Sequence, residues 1–284
     1  MSFPTRVFFT ALLLGMMVSG CAFKGTRGYE SSDPFSRVQN KAEIPLKVFD
    51  NTKVLDARSA FDYGLGHWSE AVPFPWTKLA EREQTGQLLK DPRQAFQRLA
   101  LVGVDPLTPV IVVGNGWKGN GEEGRLAWAL LYYGLSDVQT VSQEGVDIYL
   151  TRNPEKPVEN VKPWNHELRQ AMVIHKDEFL KKVLSARKEG GQKVIFIDVR
   201  SKAEYFRKEG GMYAEPDIQA LHMEWKEFYK EDGRPDLNLK KRLHALGYSE
   251  DDEIIVFSNR GVRSGAAAYS LIANGFRDVR NFLP

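Results

Sequence analysis

The sequence predicts an α/β fold built from two tandem copies of one small domain, each a mainly parallel sheet flanked by helices. Three observations lead there. Short runs of β-branched residues alternate with helical stretches, the pattern of parallel strands covered by helices. Three separate segments recur at a near-constant spacing. Leu55-Asp56-Ala57-Arg58-Ser59 returns as Ile197-Asp198-Val199-Arg200-Ser201, 142 positions on; Val110 to Val113 returns as Ile254 to Phe257, 144 on. Gly134-Leu135-Ser136-Asp137-Val138 returns as Gly275-Phe276-Arg277-Asp278-Val279, 141 on. Recurrence of that kind marks a duplicated unit. Finally, Pro154, Pro157 and Pro163 stiffen a segment between the copies, which predicts a linker over 151–165. With 284 residues, 42% of them hydrophobic, the chain is long enough for two modest domains.

Taken from the start, residues 1–20 carry one charged side chain, Arg6, and an apolar run from Val7 to Val18. That run is short for a bilayer span and suits the core of a signal peptide. It leads through Val18, Ser19 and Gly20 into Cys21, the single cysteine. These residues resemble the lipobox of bacterial lipoproteins, in which the cysteine is lipidated and becomes the mature N-terminus. The resemblance implies a lipid-anchored protein of the bacterial cell envelope. Ala22 after the cysteine implies the outer membrane, facing the periplasm, where the host has two membranes. Residues 21–43 are polar and without period, a flexible tether. The first domain is then expected over 44–150 and the second over 166–284.

Within the first copy, Val54-Leu55 reads as a buried strand. Asp91 caps a helix that has Pro92 in its first turn and fades at Gly103. Val110 to Val113 is a second buried strand, and a helix follows from about Gly124 to Tyr133, with Gly134 as its stop. The second copy repeats this with strands at Val194 to Ile197 and Ile254 to Phe257. Its last helix runs from about Val262 to Asn274.

Composition removes several function classes. Lys plus Arg is 39 against 37 Asp plus Glu, a formal +2, so no strong field favours nucleic acid or acidic lipid. Membrane attachment would come from the lipid alone. One cysteine excludes an internal disulfide, a thiolate zinc site and a two-cysteine redox cycle. His67, His166, His175, His222 and His244 show no ligand spacing, so neither a metal nor a cofactor is expected.

The most informative stretch is Val256-Phe257-Ser258-Asn259-Arg260-Gly261-Val262-Arg263-Ser264, followed by Ala266 to Ala268. It resembles the C-R-x-G-x-R-S active-site loop of the rhodanese (thiosulfate sulfurtransferase-like) family, in its tandem two-domain form. Other pieces agree: Asp56-Ala57-Arg58, Gly66-His67 through Pro75-Trp76, Asp198-Val199-Arg200-Ser201, Glu204-Tyr205 and Trp225. Glu215-Pro216 stands where the family has Gly-His. In the family, a cysteine thiolate opens the loop and carries sulfur as a persulfide. A soft thiolate suits that task, its pKa lowered by an electropositive cradle. Here the position holds Ser258, and in the first copy Gly114, at the start of a longer loop running to Gly124.

A hydroxyl cannot store transferable sulfur, and no base adjoins Ser258 in sequence. The expectation is therefore a protein without sulfurtransferase activity and without catalytic residues. Ser258, Asn259, Arg260, Gly261, Val262 and Arg263 are expected to bind a small sulfur- or phosphorus-containing oxyanion, Arg263 adding a bidentate contact. The alternatives are an envelope protein partner in the groove between domains, or an active thiosulfate sulfurtransferase-type enzyme. Asp56-Arg58 and Asp198-Arg200 are expected to pin loops, and Lys240-Lys241-Arg242 to lie on a wet helix face. The Gly-rich stretch after Gly114 lacks phosphate-loop spacing, and its Trp117-Lys118 pair offers a ligand or partner contact.

Overall fold

The computed structural model describes residues 51–284 apart from 69, 83–84, 145–149, 152–158, 187–193 and 208–217. Cys21, the expected signal peptide and tether, much of the expected linker and Glu215-Pro216 lie outside the described residues.

The first half opens with β1 (Lys53–Asp56), α1 (Ala60–Leu65), β2 (His67–Trp68) and β3 (Ala71–Pro73). It continues with α2 (Pro92–Leu101), β4 (Val110–Gly114), α3 (Glu122–Tyr132), β5 (Val138–Ser142) and β6 (Leu150–Thr151). The second half holds β7 (Val173–His175), α4 (Lys176–Ala186), β8 (Val194–Asp198), α5 (Lys202–Arg207) and β9 (Leu221–His222). It ends with α6 (Asn238–Ala245), β10 (Glu253–Phe257), α7 (Val262–Ala273) and β11 (Val279–Leu283).

Two parallel sheets result, ordered β3-β1-β4-β5 and β7-β11-β10-β8-β9, and β2 pairs antiparallel with β6. β4 and β10 are buried along their whole length, as their unbroken Val/Ile runs require for a strand covered on both faces. The duplication is exact in register at the strand ends. Asp56 lies opposite Val113 and Asp198 opposite Phe257, so Gly114 and Ser258 leave their strands at equivalent places.

Helix boundaries move slightly from the sequence expectation. α2 begins as expected, with the Asp91 side chain accepting from Arg93 N–H at 3.0 Å and Pro92 in the first turn. α3 starts at Glu122 rather than near Gly124, because Gly121 at φ +79° turns the chain into the helix earlier.

The two halves share one apolar core, in which α3 packs along α7. Gly124, Ala127 and Ala129 on one helix and Ala266, Ala267 and Ala268 on the other keep that contact close. A Cβ on Gly124 would strike the Tyr229 hydroxyl, which itself donates to Ala266 O at 2.6 Å. Polar contacts reinforce the junction. Tyr269 Oη donates to Val138 O at 3.0 Å and Trp117 Nε1 to Tyr229 O at 3.1 Å. The turn 230–235 of the second half lies against β5, where Ser142 N–H donates to Asp232 O (2.7 Å) and Thr140 Oγ1 to Gly233 O (2.9 Å). No helix among the described residues is long and apolar enough to cross a membrane.

Candidate ligand-binding site

At the carboxyl ends of β1, β4, β8 and β10 the halves enclose a cleft of about 890 Å³. Parallel strands deliver their following loops to the same end, so the cleft collects the most informative segments of both copies. One wall is Ser258, Asn259, Arg260, Val262 and Arg263; the other includes Asp62, Asn115, Lys118 and Glu122; Trp76 and Arg58 also line it.

Behind the lining, each strand end is fixed by an internal ion pair. Arg58 forks onto Asp56 (2.7–3.1 Å) and donates to Gly66 O at 2.9 Å. Arg200 forks onto Asp198 in the same way (2.7–3.0 Å), and its carbonyl meets His222 Nε2 at 3.0 Å. Both pairs are buried, so removing one partner would leave a stranded charge costing about 3–5 kcal/mol. They pin loops, as the sequence suggested. His67 is likewise structural: it stacks on Tyr63 with ring centroids 3.8 Å apart.

The second-half loop begins with Ser258, 1% exposed at the end of β10. Its Oγ accepts the Ser264 backbone N–H at 3.2 Å and lies 3.0 Å from Ser264 Oγ. Among the described residues its hydrogen bonds run to Ser264 alone, so none of them places a base to take its proton. The backbone N–H groups of residues 259–263 donate to no group among the described residues. They belong to the loop and the first turn of α7, where donors are left over by helix geometry and the dipole favours an anion. Gly261, at φ +72°, bends the chain into that turn, and Asn281 Nδ2 holds its carbonyl at 3.1 Å.

Arg263 does not point its fork at open space. It binds Glu204 bidentately at 2.6 and 2.8 Å, and this pairing is the first cause that holds the Glu204 carboxyl down at about 2. Asn259 Nδ2 donates to the same carboxylate at 3.0 Å. The bidentate contact that sequence reasoning reserved for a ligand is thus made inside the protein. Arg260 is an exposed cation on the cleft, with no carboxylate partner among the described residues. Its position in the loop was legible; the neutralisation of Arg263 was not.

The first-half loop is different. Gly121 opens α3 as Gly261 opens α7, so Glu123 takes the place of Arg263. Its side chain, 1% exposed, turns inward against Gly114, and a Cβ on Gly114 would land on its carboxyl. Neither carboxyl oxygen has a hydrogen-bond partner. Burial, and then the charge of Glu122, push the Glu123 carboxyl up to about 8. Trp117 pins this loop to the other half, and Lys118, exposed on the cleft, pairs with Glu144. On the outer surface Lys240 pairs with Glu250 and Arg242 with Glu227 along α6. Among the described residues no group of His, Cys, Asp and Glu is placed to hold a metal.

Sequence reasoning did not single out Glu123, Arg125 or Gly86, each of which bears on the two loops. An acid or a base two or four residues after a helix-opening glycine gives no local sign of turning inward.

Residues 180–283 match the rhodanese-like domain family. Comparison with curated proteins finds no match. Among solved structures, SseA from Escherichia coli, described for the "Rhodanese" fold and catalytic mechanism of 3-mercaptopyruvate sulfotransferases, is similar with a TM-score of 0.67. The two are 19% identical, over 83% of this chain and 92% of that one. A variant of EanB in complex with hercynine gives a TM-score of 0.68 at 17% identity, over 84% of this chain and 62% of that one. Another EanB variant, in complex with ergothioneine, gives 0.67 at 17% with the same coverage. This chain therefore spans about 62% of the length of the EanB chains. Residues 180–283 thus match the rhodanese-like domain family, and the two sheets together share the fold of the rhodanese-like sulfurtransferases.

Proposed function

We propose that the protein is a lipid-anchored, rhodanese-like protein of the bacterial envelope that binds a small oxyanion and does not carry sulfur. The anion sits in the loop from Ser258 to Arg263, and acylated Cys21 holds the body at the membrane. One observation carries this reading: Asn259, Arg260, Val262 and Arg263 line an open cleft, their backbone N–H groups bond to nothing among the described residues, and the residue at the strand end is a serine hydrogen-bonded only to Ser264 among them. Backbone donors and a guanidinium suit a sulfur- or phosphorus-centred oxyanion. Persulfide storage requires a sulfur atom, and the only cysteine, Cys21, precedes the fold.

Calorimetric titration with thiosulfate, sulfate and phosphate tests the binding. Saturable uptake that is lost in Arg260→Ala supports the reading, and no uptake of any of the three overturns it. The fold's kinship with sulfurtransferases makes an enzyme the second reading. Thiocyanate formed from thiosulfate and cyanide by the wild-type chain would establish the enzyme and refute the binding role. A third reading, an envelope protein seated in the cleft, predicts crosslinks from residues 117–120 to a partner rather than anion uptake.

A further inference from the structure

Arg125 lies on α3, and its whole side chain is enclosed at 1% exposure. Guanidinium groups in protein interiors are nearly always matched by a carboxylate, because an unmatched buried charge is costly. Arg125 has none. One terminal nitrogen donates to Gly86 O at 2.8 Å, Nε has no partner, and the group stacks over Trp128 at 4.6 Å and Trp76 at 5.7 Å. Burial lowers its pKa to about 10, which still leaves it charged at neutral pH.

Its surroundings connect it to the other half's loop. A Cβ on Gly265, in the first turns of α7, would come within 2.7 Å of Arg125 Cδ. Gly86, the residue it holds, packs its Cα against the Arg260 carbonyl. A side chain there would collide with that carbonyl, and the backbone at φ +63° favours glycine in any case. Trp76, on its other side, lines the cleft. The cation therefore stands directly behind the loop that lines the cleft.

We propose that Arg125 is a positioning residue for the Ser258–Arg263 loop: its buried guanidinium supplies the counter-charge for an anion seated there and, through Gly86, fixes the Arg260 peptide. The inference rests on the anion-binding reading for the ligand but not for the field itself. The first half thereby contributes a charge to a site whose loop belongs to the second. A charge enclosed in protein is screened far less than one on the surface, so it acts across the short distance to the loop even without touching the anion.

Two readouts test it. On the full chain, Arg125→Met removes the charge and replaces it with an apolar side chain, a change that buried charges often tolerate. Its melting temperature should stay near the wild-type value while thiosulfate affinity falls at least about tenfold, the loss of one charge-assisted interaction. In a Ser258→Cys background, alkylation at position 258 followed by mass spectrometry gives the thiol titration without any ligand. Removing the Arg125 charge should move that titration about one pH unit higher, and Arg125→Lys should largely restore it. Should Arg125→Met not fold, Arg125→Gln keeps a donor for Gly86 O and carries the same expectation. A thiol titration unchanged by loss of the charge, or raised equally by Arg125→Lys, overturns the proposal. Wild-type protein that takes up no thiosulfate overturns the anion reading alone.

Discussion

The loops after β4 and β10 leave equivalent strand positions and enter helices through equivalent glycines, yet they have opposite interiors. The first is filled by its own acid: Glu123 turns inward against Gly114, uncharged and without a hydrogen bond. The second keeps Ser258 at its base, an Arg263 neutralised by Glu204 at its side, and backbone N–H groups over 259–263 that bond to nothing among the described residues. The difference teaches that one loop geometry is closed by one inward carboxyl and kept open by one arginine drawn outward. Glycine at the strand end is then needed only where the acid has moved in.

The strongest way to break this contrast is to give the second loop the atom it lacks. Ser258→Cys should generate thiocyanate from thiosulfate and cyanide at about 10²-fold or more over the wild-type background, the scale that preorganised donors contribute. Wild-type-like rates would mean the cradle is not competent. Next in size is Gly114→Ser, which imposes the second loop's residue on the first. Its side chain collides with Glu123, and overpacking of this kind costs about 1–3 kcal/mol in denaturant unfolding. Adding Glu123→Ala should recover most of the loss, and additivity of the two losses would disprove the contact.

Glu123→Gln sharpens the same point through pH. The folded pKa of about 8 lies above the ordinary 4.5, so the folded state holds its proton more tightly than the unfolded one. Wild-type stability should fall as pH rises from about 4.5 to about 8. The Gln variant should lack that decline, gaining up to a few kcal/mol above pH 8 and little at pH 4.5. Melting curves across that range decide it.

The smallest effect is expected from Glu204→Gln, which releases Arg263 to the cleft. The pair is partly exposed, with Glu204 at 27%, so its loss should cost under about 1 kcal/mol while oxyanion affinity rises several-fold. Glu204 has its pKa depressed to about 2, so the pair's contribution is present above about 4.5 and lost as pH falls toward 2. Lower stability without tighter anion binding would show that Arg263 serves the loop alone.

Much of this architecture was legible in the chain itself. β1 and β8, the Asp91 cap and the paired Asp-x-Arg strand ends are local signals, set by β-branched runs and by side chains reaching two residues along. The loop from Ser258 to Arg263 was legible for the same reason. Its internal chemistry was not. Glu204 meets Arg263 across 59 residues, and Gly86 meets Arg260 across the junction of the halves. The first pairing exists only once β8 and β10 lie side by side, and the second only once the two halves have closed on each other. Trp117 shows the same limit: in sequence it is an aromatic in a glycine-rich loop, and in the fold it anchors that loop on Tyr229.

The turn 230–235, hydrogen-bonded along β5, has a consequence for how the chain is made. β5 is the outer strand of the first sheet, and its free N–H and C=O row is a template for pairing with other chains until that turn arrives. During synthesis the first half emerges well before residue 230 and must wait with an adhesive margin exposed. Separated halves should accordingly clump, and rapid completion of the nascent chain is itself protection against misassembly.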